Sequence, residues 1–429
     1  MSIHHQWAAT PPLGWNSWDC YGAAVNEEEV RGNAQYMAEH LKPYGWEYVV
    51  VDIQWYEPGA ISSAYRPYVP LEMDAFSRLI PAANRFPSAT DGQGFKPLAD
   101  YVHSLGLKFG IHIMRGIPRQ AVHANTPILG TNASARSIAK TWNGAICKWN
   151  TDMYGVDPSK EGAQAYYDSL FQLYASWGVD YVKVDDIADS LLYGIQLDEI
   201  QLIRKAIDTC GRPMVLSLSP GPAPLEFAEE LKANANLWRM TDDFWDIWRL
   251  LYGMFERCEK WASHVGSGSW PDCDMLPLGH IGIRSVDGGA SDRWTRFTRD
   301  EQKTMMTLWA IFRSPLMFGG ELRDNDEWTL SLLTNEEVLD VLRNGRDARQ
   351  LYREEERIVW TSELTDGVRY VALFNAGDDI QTVQVTSSQL GAPAIGSVRD
   401  LWNREELGTP HELSFTLEPH ASMLLKLSL

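Results

Sequence analysis

Short apolar runs alternate with amphipathic segments through most of the chain. The apolar runs predict about eight strands, near residues 13–19, 48–55, 107–113, 180–186, 213–219, 237–243, 269–275 and 315–319. The segments between them predict helices near 26–42, 95–106, 160–177, 197–209, 225–234, 245–262 and 299–312. Strands that alternate with helices form a parallel sheet, and eight such units close it into a (β/α)8 TIM barrel. A doubly wound open sheet is the alternative, but no glycine-rich phosphate loop follows the first strand.

The pattern changes beyond about Asn344. Segments at 357–360, 368–374, 381–385 and 422–427 alternate or run apolar, with turn residues between them and no helix-length period. Residues 344–429 are therefore predicted to form an all-β domain, an antiparallel sandwich. Residues 1–343 form the predicted catalytic barrel.

Composition narrows the class of function. A net charge of −19 over 429 residues argues against nucleic acid or an anionic membrane surface as partner. The chain shows no signal peptide, no run of ~18 apolar residues and five scattered cysteines without a C-x-x-C pair, so we expect a reduced, cytoplasmic protein. The 18 tryptophans and 17 tyrosines favour a carbohydrate ligand, because their rings stack on the C–H faces of sugars. A homo-oligomer is compatible with these features.

Polar side chains are concentrated where the predicted barrel strands end. Side chains alternate along a strand, so Lys183 and Asp185 share one face of the fourth strand. The same parity relates three further pairs of polar residues: Ser217 with Ser219, Arg239 with Asp243, and Asp272 with Asp274. Two more strands end in a single polar residue, Asp52 in one and His112 in the other. Active-site groups of a barrel lie at the carboxyl ends of its strands, so these residues predict a polar pocket.

Several carboxylates with a lysine and an arginine suit glycoside hydrolysis. That reaction needs one carboxylate as nucleophile or base and a second carboxyl as proton donor. Lys183 should lower the pKa of Asp185 and keep it ionised, as a nucleophile must be. Asp242 and Asp243 are the candidates for the proton donor, and parity with Arg239 favours Asp243.

Three other classes of function compete with hydrolysis. Lys183 could form a Schiff base as an aldolase does, but such a lysine must be neutral and Asp185 favours its protonated form. A non-catalytic sugar-binding protein has no need of two acids placed for attack and protonation. A metal enzyme would use Asp272 and Asp274, yet no histidine cluster supports it, and we expect no metal.

Motifs along the barrel segment resemble glycoside hydrolase family 27, which contains α-galactosidases and α-N-acetylgalactosaminidases. They are GWNSW at 14–18, VDIQW at 51–55, KVD at 183–185, WR at 238–239 with Asp243, and WPDCDM at 270–275. The resemblance implies a retaining mechanism without a cofactor, with Asp185 as nucleophile and Asp243 as acid/base. It also implies that the substrate is held by a set of further residues: Trp18, Asp52, Lys183, Arg239 and Asp274. We predict that Trp55, in the VDIQW motif, binds the substrate as well.

One departure from the family pattern concerns the substrate. The family usually has two adjacent acids at the end of strand two, which hold hydroxyls at the C4–C6 side of galactose, and here the second is Ile53. Ile53 removes an acceptor and fills the space of a hydroxymethyl group. It therefore indicates β-L-arabinopyranose, which is galactose in shape without that group and is the substrate of some family members. Alternatively, a neighbouring loop residue replaces the lost acid and galactose still binds.

The remaining departures concern neighbouring strands. His112 stands where a tyrosine is common, and Ser219 resembles the small residue that makes room for a 2-acetamido group in N-acetylgalactosaminidases. Asp186 and Ile187 replace a glycine and a cysteine, so the disulfide of many secreted relatives cannot form. We predict a retaining exo-glycosidase for small oligosaccharides or glycosides with terminal α-D-galactosyl or β-L-arabinopyranosyl residues, with α-N-acetylgalactosaminidase as the alternative.

Overall fold

Eight strands form the central sheet of the computed structural model, which describes residues 2–62, 64–140, 145–285, 291–410 and 412–429. They are β1 (Leu13–Asn16), β2 (Tyr48–Val51), β3 (Lys108–Met114), β4 (Tyr181–Asp185), β5 (Val215–Leu218), β6 (Leu237–Arg239), β7 (Trp270–Asp272) and β8 (Leu316–Phe318). The order is β8-β1-β2-β3-β4-β5-β6-β7, with parallel registers from β1 through β7. A parallel bridge between Leu276 and Phe318 joins the segment after β7 to β8. The predicted (β/α)8 barrel is confirmed.

The first compact unit comprises the described residues of 1–245, 267–294 and 317–324. Its longer helices are α1 (Glu27–Tyr36), α2 (Lys96–Ser104), α3 (Ala163–Trp177), α4 (Leu197–Thr209) and α5 (Ala228–Asn234). In α4, Ile200, Ile203 and Ile207 are buried at helical spacing, which is the apolar stripe that made the helix predictable. β2 is buried at every position, as expected for a strand covered on both faces.

Long connections follow β2 and β3 on the side where the strands end. The connection after β3 contains the short helices Arg119–Ala124 and Ala135–Ile138 and a two-residue antiparallel pairing of Ile117–Pro118 with Met153–Tyr154. The one-turn helix Trp18–Tyr21 follows β1. A second two-residue pairing joins His280–Ile281 to Arg293–Trp294. Over the described ranges, no helix is long and apolar enough to cross a membrane.

The second compact unit comprises the described residues of 246–266, 295–316 and 325–429. Its helices are α6 (Trp248–Trp261), α7 (Arg299–Phe312), α8 (Glu327–Leu333) and α9 (Glu336–Asn344). Its strands are β9 (Arg346–Glu354), β10 (Arg357–Thr365), β11 (Val368–Asn375), β12 (Gln381–Val385), β13 (Val398–Asp400), β14 (Glu405–Gly408), β15 (Leu413–Leu417) and β16 (Ser422–Ser428).

These strands form two antiparallel sheets. One has the order β9-β10-β11-β16-β13-β14, and the other pairs β12 with β15. Buried residues of both sheets, among them Val371, Leu425, Val383 and Leu413, belong to one apolar cluster. The predicted antiparallel sandwich is confirmed, and the domain boundary after residue 343 stays a prediction.

Candidate active site

A cavity of about 380 Å³ lies at the carboxyl ends of the barrel strands. Its wall includes nine residues that the sequence singled out: Trp18, Asp52, Ile53, Lys183, Asp185, Arg239, Asp242, Asp243 and Asp274. Because parallel strands end at one rim of a barrel, residues far apart in sequence converge there. Trp55, His112 and Ser219 are not among the residues that line this cavity.

Asp185 is the last residue of β4, and its carboxylate is held from two sides. Nε2 of His112 lies 3.0 Å from Oδ2, and the backbone amide of Asp186 donates to Oδ1 at 2.8 Å. An ionised carboxylate only accepts hydrogen bonds, so the proton of this contact belongs to His112. Burial would raise the pKa of Asp185, but the His112 hydrogen bond and the charge of Lys183 lower it below its usual range. The group is therefore ionised.

Lys183 connects β4 to the carboxylate that follows β2. Its Nζ donates to Oδ2 of Asp52 at 3.1 Å, and Nδ2 of Asn16 donates to the same oxygen at 2.8 Å. Burial would lower the pKa of Lys183, but Asp52 and Asp185 raise it above the ordinary value. Lys183 is thus an ammonium group, whereas a Schiff-base lysine must be neutral to attack a carbonyl. This environment disfavours the aldolase alternative.

Arg239, the last residue of β6, pairs with two further carboxylates of the cavity. Its Nη2 lies 2.9 Å from Oδ2 of Asp274 and 3.0 Å from Oδ1 of Asp243. The Asp274 side chain is 9% exposed and that of Asp243 is 57% exposed. Asp243 therefore borders solvent. A group that acts as proton donor and acceptor must exchange protons with solvent, so this exposure suits the role.

The ion pair of Arg239 with Asp243, and not strand parity, favours Asp243 over Asp242 as the candidate proton donor. The sequence predicted a strand over 237–243, but β6 ends at Arg239 and both aspartates line the cavity from the irregular segment that follows. Asp242 accepts the backbone amide of Asp243 at 2.8 Å. Asp243 is the one of the two whose carboxylate the structure pairs with Arg239.

Trp55 lies in the core and not in the cavity wall, contrary to the prediction. Its Nε1 donates to the carbonyl of His112 at 2.7 Å, and its ring packs edge-on against Phe95 and Trp177. The physical reason is that Trp55 lies three positions after Asp52, which lines the cavity, so alternation turns its ring to the opposite face, toward Trp177 of α3.

His112 and Ser219 are also placed one layer away from the cavity. His112 is fully buried and contacts Asp185, so it orients the carboxylate and does not line the space for a sugar. Ser219 is buried, and its hydroxyl lies 3.4 Å from the carbonyl of Val184, to which it donates. Its side chain does not line the cavity, whereas the N-acetylgalactosaminidase alternative places Ser219 beside a 2-acetamido group of the sugar.

Ile53 lines the cavity beside Asp52, although strand alternation would turn it away. Its backbone amide donates to Oδ1 of Asp52 at 2.9 Å, and the residue is 2% exposed. Because the strand has already ended, both side chains reach the same wall. An apolar group therefore stands next to the carboxylate that Lys183 and Asn16 hold.

Several cavity residues were missed by the sequence analysis. Tyr65 and Trp149 come from the long connections after β2 and β3, and their rings are 5.4 Å apart, with Tyr65 stacked on Trp18 at 6.2 Å. Loop length was the available signal, since long loops are often functional, but no period places their side chains. The others are Asp19, Leu191, Pro220, Phe244, Trp245 and Met275.

Comparisons of sequence identify relatives over the whole chain. A family model described as Alpha galactosidase A matches residues 155–344, and a model of the Alpha galactosidase C-terminal beta sandwich domain matches residues 354–427. Alpha-galactosidase 2 of Arabidopsis thaliana is 27% identical, over 100% of this chain and 92% of its own. The α-galactosidase of Cyamopsis tetragonoloba is 28% identical, over 98% of this chain and 86% of its own.

Solved structures are more similar still. A family 27 β-L-arabinopyranosidase from Geobacillus stearothermophilus is 71% identical, with a TM-score of 0.98 over 99% of this chain and 98% of its own. A candidate α-N-acetylgalactosaminidase from Bacillus halodurans C-125 is 61% identical, with a TM-score of 0.88 over 97% of each chain. Both similarities include the barrel and the sandwich.

Proposed function

The chain belongs to glycoside hydrolase family 27, and on this basis we propose that its preferred substrates carry a terminal β-L-arabinopyranosyl residue. It is a glycoside hydrolase of the α-galactosidase type. The observation that carries the proposal is the Ile53 side chain in the cavity wall beside Asp52. A galactosyl residue brings a hydroxymethyl group that needs space and an acceptor, whereas an arabinopyranosyl residue has only hydrogen there. An apolar neighbour suits the second sugar.

The same cavity supports a double-displacement reaction. The Asp185 carboxylate attacks the anomeric carbon, and the carboxyl of Asp243 protonates the departing glycosidic oxygen. Asp243, now ionised, then takes a proton from water, which attacks the anomeric carbon and releases Asp185. Two inversions give net retention. His112 and the amide of Asp186 hold the nucleophile in one orientation throughout.

α-D-Galactosides are the second candidate substrates. Asp52 is one of the two adjacent acids that are expected to hold galactose, and the relatives at 27% and 28% identity are α-galactosidases. The two candidates differ in one group of the sugar, so they are separated by measurement on otherwise identical substrates.

A reducing, cytoplasmic location is part of the proposal. Its support is that all five cysteines are free thiols, including Cys147, which is buried. Activity that is unchanged by a thiol reductant is expected, and loss of activity on reduction would contradict it.

The test is a panel of nitrophenyl glycosides: β-L-arabinopyranoside, α-D-galactoside and α-N-acetylgalactosaminide. A missing hydrogen-bond partner disfavours a substrate by about 1–3 kcal/mol, which is about 5- to 150-fold in kcat/KM. We expect kcat/KM for the arabinopyranoside to exceed that for each of the other two glycosides by at least about fivefold. A galactoside hydrolysed equally well or better would refute the proposed preference.

A further inference from the structure

Asp19 is a buried carboxyl in the cavity wall, outside the groups assigned to the reaction. It follows Trp18 in the one-turn helix Trp18–Tyr21 and is 3% exposed. Its Oδ2 is inaccessible and has no hydrogen-bond partner in the part of the chain that the structure describes. Because Oδ2 is sealed from the cavity and lies against Gly319, a ligand in the cavity can reach this carboxyl only through its other oxygen, Oδ1.

The surroundings of Asp19 fix where its carboxyl can be. Its carbonyl accepts the amide of Gly282 at 2.8 Å, which anchors the residue to another loop. Gly319, just after β8, is so close that an added Cβ would lie 2.0 Å from Oδ2. Glycine at 319 therefore leaves the space that this carboxyl occupies.

The charges around Asp19 favour its neutral form. Burial and the nearby carboxylates of Asp274, Asp243 and Asp52 raise its pKa well above the usual value, against the opposing charge of Lys183. Lys183 is already paired with Asp52, and Arg239 is paired with Asp243 and Asp274. A protonated carboxyl both donates and accepts hydrogen bonds, which matches the two capacities of a hydroxyl group.

We propose that Asp19 is a specificity-determining residue whose carboxyl hydrogen-bonds a hydroxyl group of the bound sugar. The inference rests on the proposed function, because it requires a glycoside in this cavity. Asp19 adds a contact from the helix Trp18–Tyr21 after β1 to those offered by residues of the strand ends, such as Lys183. A carboxyl that only supports the helix Trp18–Tyr21 would never contact the substrate.

Deoxy substrates separate these two roles. The test compares wild type, Asp19→Ala and Asp19→Asn on nitrophenyl β-L-arabinopyranoside and on its 2-, 3- and 4-deoxy analogues. Asp19→Ala should lower kcat/KM for the parent about 5- to 150-fold. For the analogue that lacks the contacted hydroxyl, the kcat/KM values of wild type and Asp19→Ala should agree within about twofold, because neither enzyme can form the hydrogen bond between residue 19 and that hydroxyl. Asp19→Asn should recover most of the loss, since an amide also donates and accepts.

Two matched variants complete the experiment. Gly319→Ala should displace the carboxyl without removing it and give the same dependence on the substrate hydroxyl. Val30→Ala, fully buried in α1, should lower the melting temperature without changing the ratios among the four substrates. A folded Asp19→Ala that loses the same factor on all four substrates, or loses nothing, would overturn the inference. If the wild type hydrolysed none of the glycosides, the proposed function would fail instead.

Discussion

Replacing Ile53 by aspartate should move the substrate preference toward α-D-galactosides. The backbone amide of residue 53 is held by Oδ1 of Asp52 at 2.9 Å, so the substituted residue keeps its place unless this hydrogen bond breaks. The new carboxylate should then face the cavity that Ile53 lines. There it can accept a hydrogen bond from the 6-hydroxyl of galactose, a group that arabinopyranose does not have.

Two opposing effects set the size of the change. A hydrogen bond to a charged acceptor contributes about 1.5–3 kcal/mol, or about 10- to 150-fold. A second carboxylate beside Asp52 is disfavoured by like charge, which Lys183, 3.1 Å from Asp52, offsets in part. We therefore expect the galactoside-to-arabinopyranoside ratio of kcat/KM to rise about 5- to 50-fold. Stability should fall, because a buried apolar side chain is replaced by a charge.

The assay is kcat/KM for the two nitrophenyl glycosides at one pH, with the melting temperature of each variant measured alongside. Ile53→Asn has the shape of the aspartate without its charge and should give a smaller shift in the ratio. Ile53→Val removes only volume and should leave the ratio within about twofold of wild type. A folded Ile53→Asp enzyme with an unchanged ratio would refute the assigned role of Ile53.

Three further predictions concern the reacting groups and the second unit. Asp185→Ala should lose nearly all activity and regain it with azide as an inverted glycosyl azide, whereas Asp243→Ala should remain active on good leaving groups and give the retained azide. Methanolysis by the wild type, followed by NMR, should yield the retained methyl glycoside, and the inverted product would contradict the pair. His112→Phe should move the acidic limb of the pH profile of kcat/KM to higher pH. The reason is that Asp185 loses a hydrogen bond that lowers its pKa, so it becomes protonated at pH values where the wild type is still ionised. A folded variant whose acidic limb does not move would contradict this prediction. Glu405→Ala, at an exposed position of β14, should leave kcat/KM unchanged within about twofold, and a tenfold loss would mean that the second unit completes the site.

Strand alternation located the functional groups that belong to the strands themselves. Lys183 and Asp185 lie within β4 and Arg239 within β6, and all three line the cavity. The side-chain directions of a strand follow from its backbone, and barrel closure turns one face toward the axis. His112 also faces inward by this rule, but it lies below Asp185 and so contacts the carboxylate from beneath the cavity wall.

Residues just beyond the strand ends could not be located from periodicity. Ile53 and Trp55 follow β2 in the same turn, and alternation gives both the same face, yet Ile53 lines the cavity and Trp55 lies in the core. The loop that contains them is shaped by Arg85, whose guanidinium donates to the carbonyls of Gln54 and Glu57 at 2.6 and 2.9 Å. Contacts between residues about thirty positions apart leave no periodic signal, so such side chains are placed only by the tertiary structure.

The seam between β7 and β8 is where the barrel should open most readily. β4 is in register with β3 along its whole length, whereas the described residues join the segment after β7 to β8 at the bridge of Leu276 with Phe318. Asp274, which binds Arg239 and lines the cavity, precedes Leu276 by two residues. A sugar that binds Asp274 therefore also holds the seam closed. The amide protons of Leu276 and Gly319, both bonded across the seam, should exchange with deuterium quickly in the empty enzyme and slowly in the occupied one.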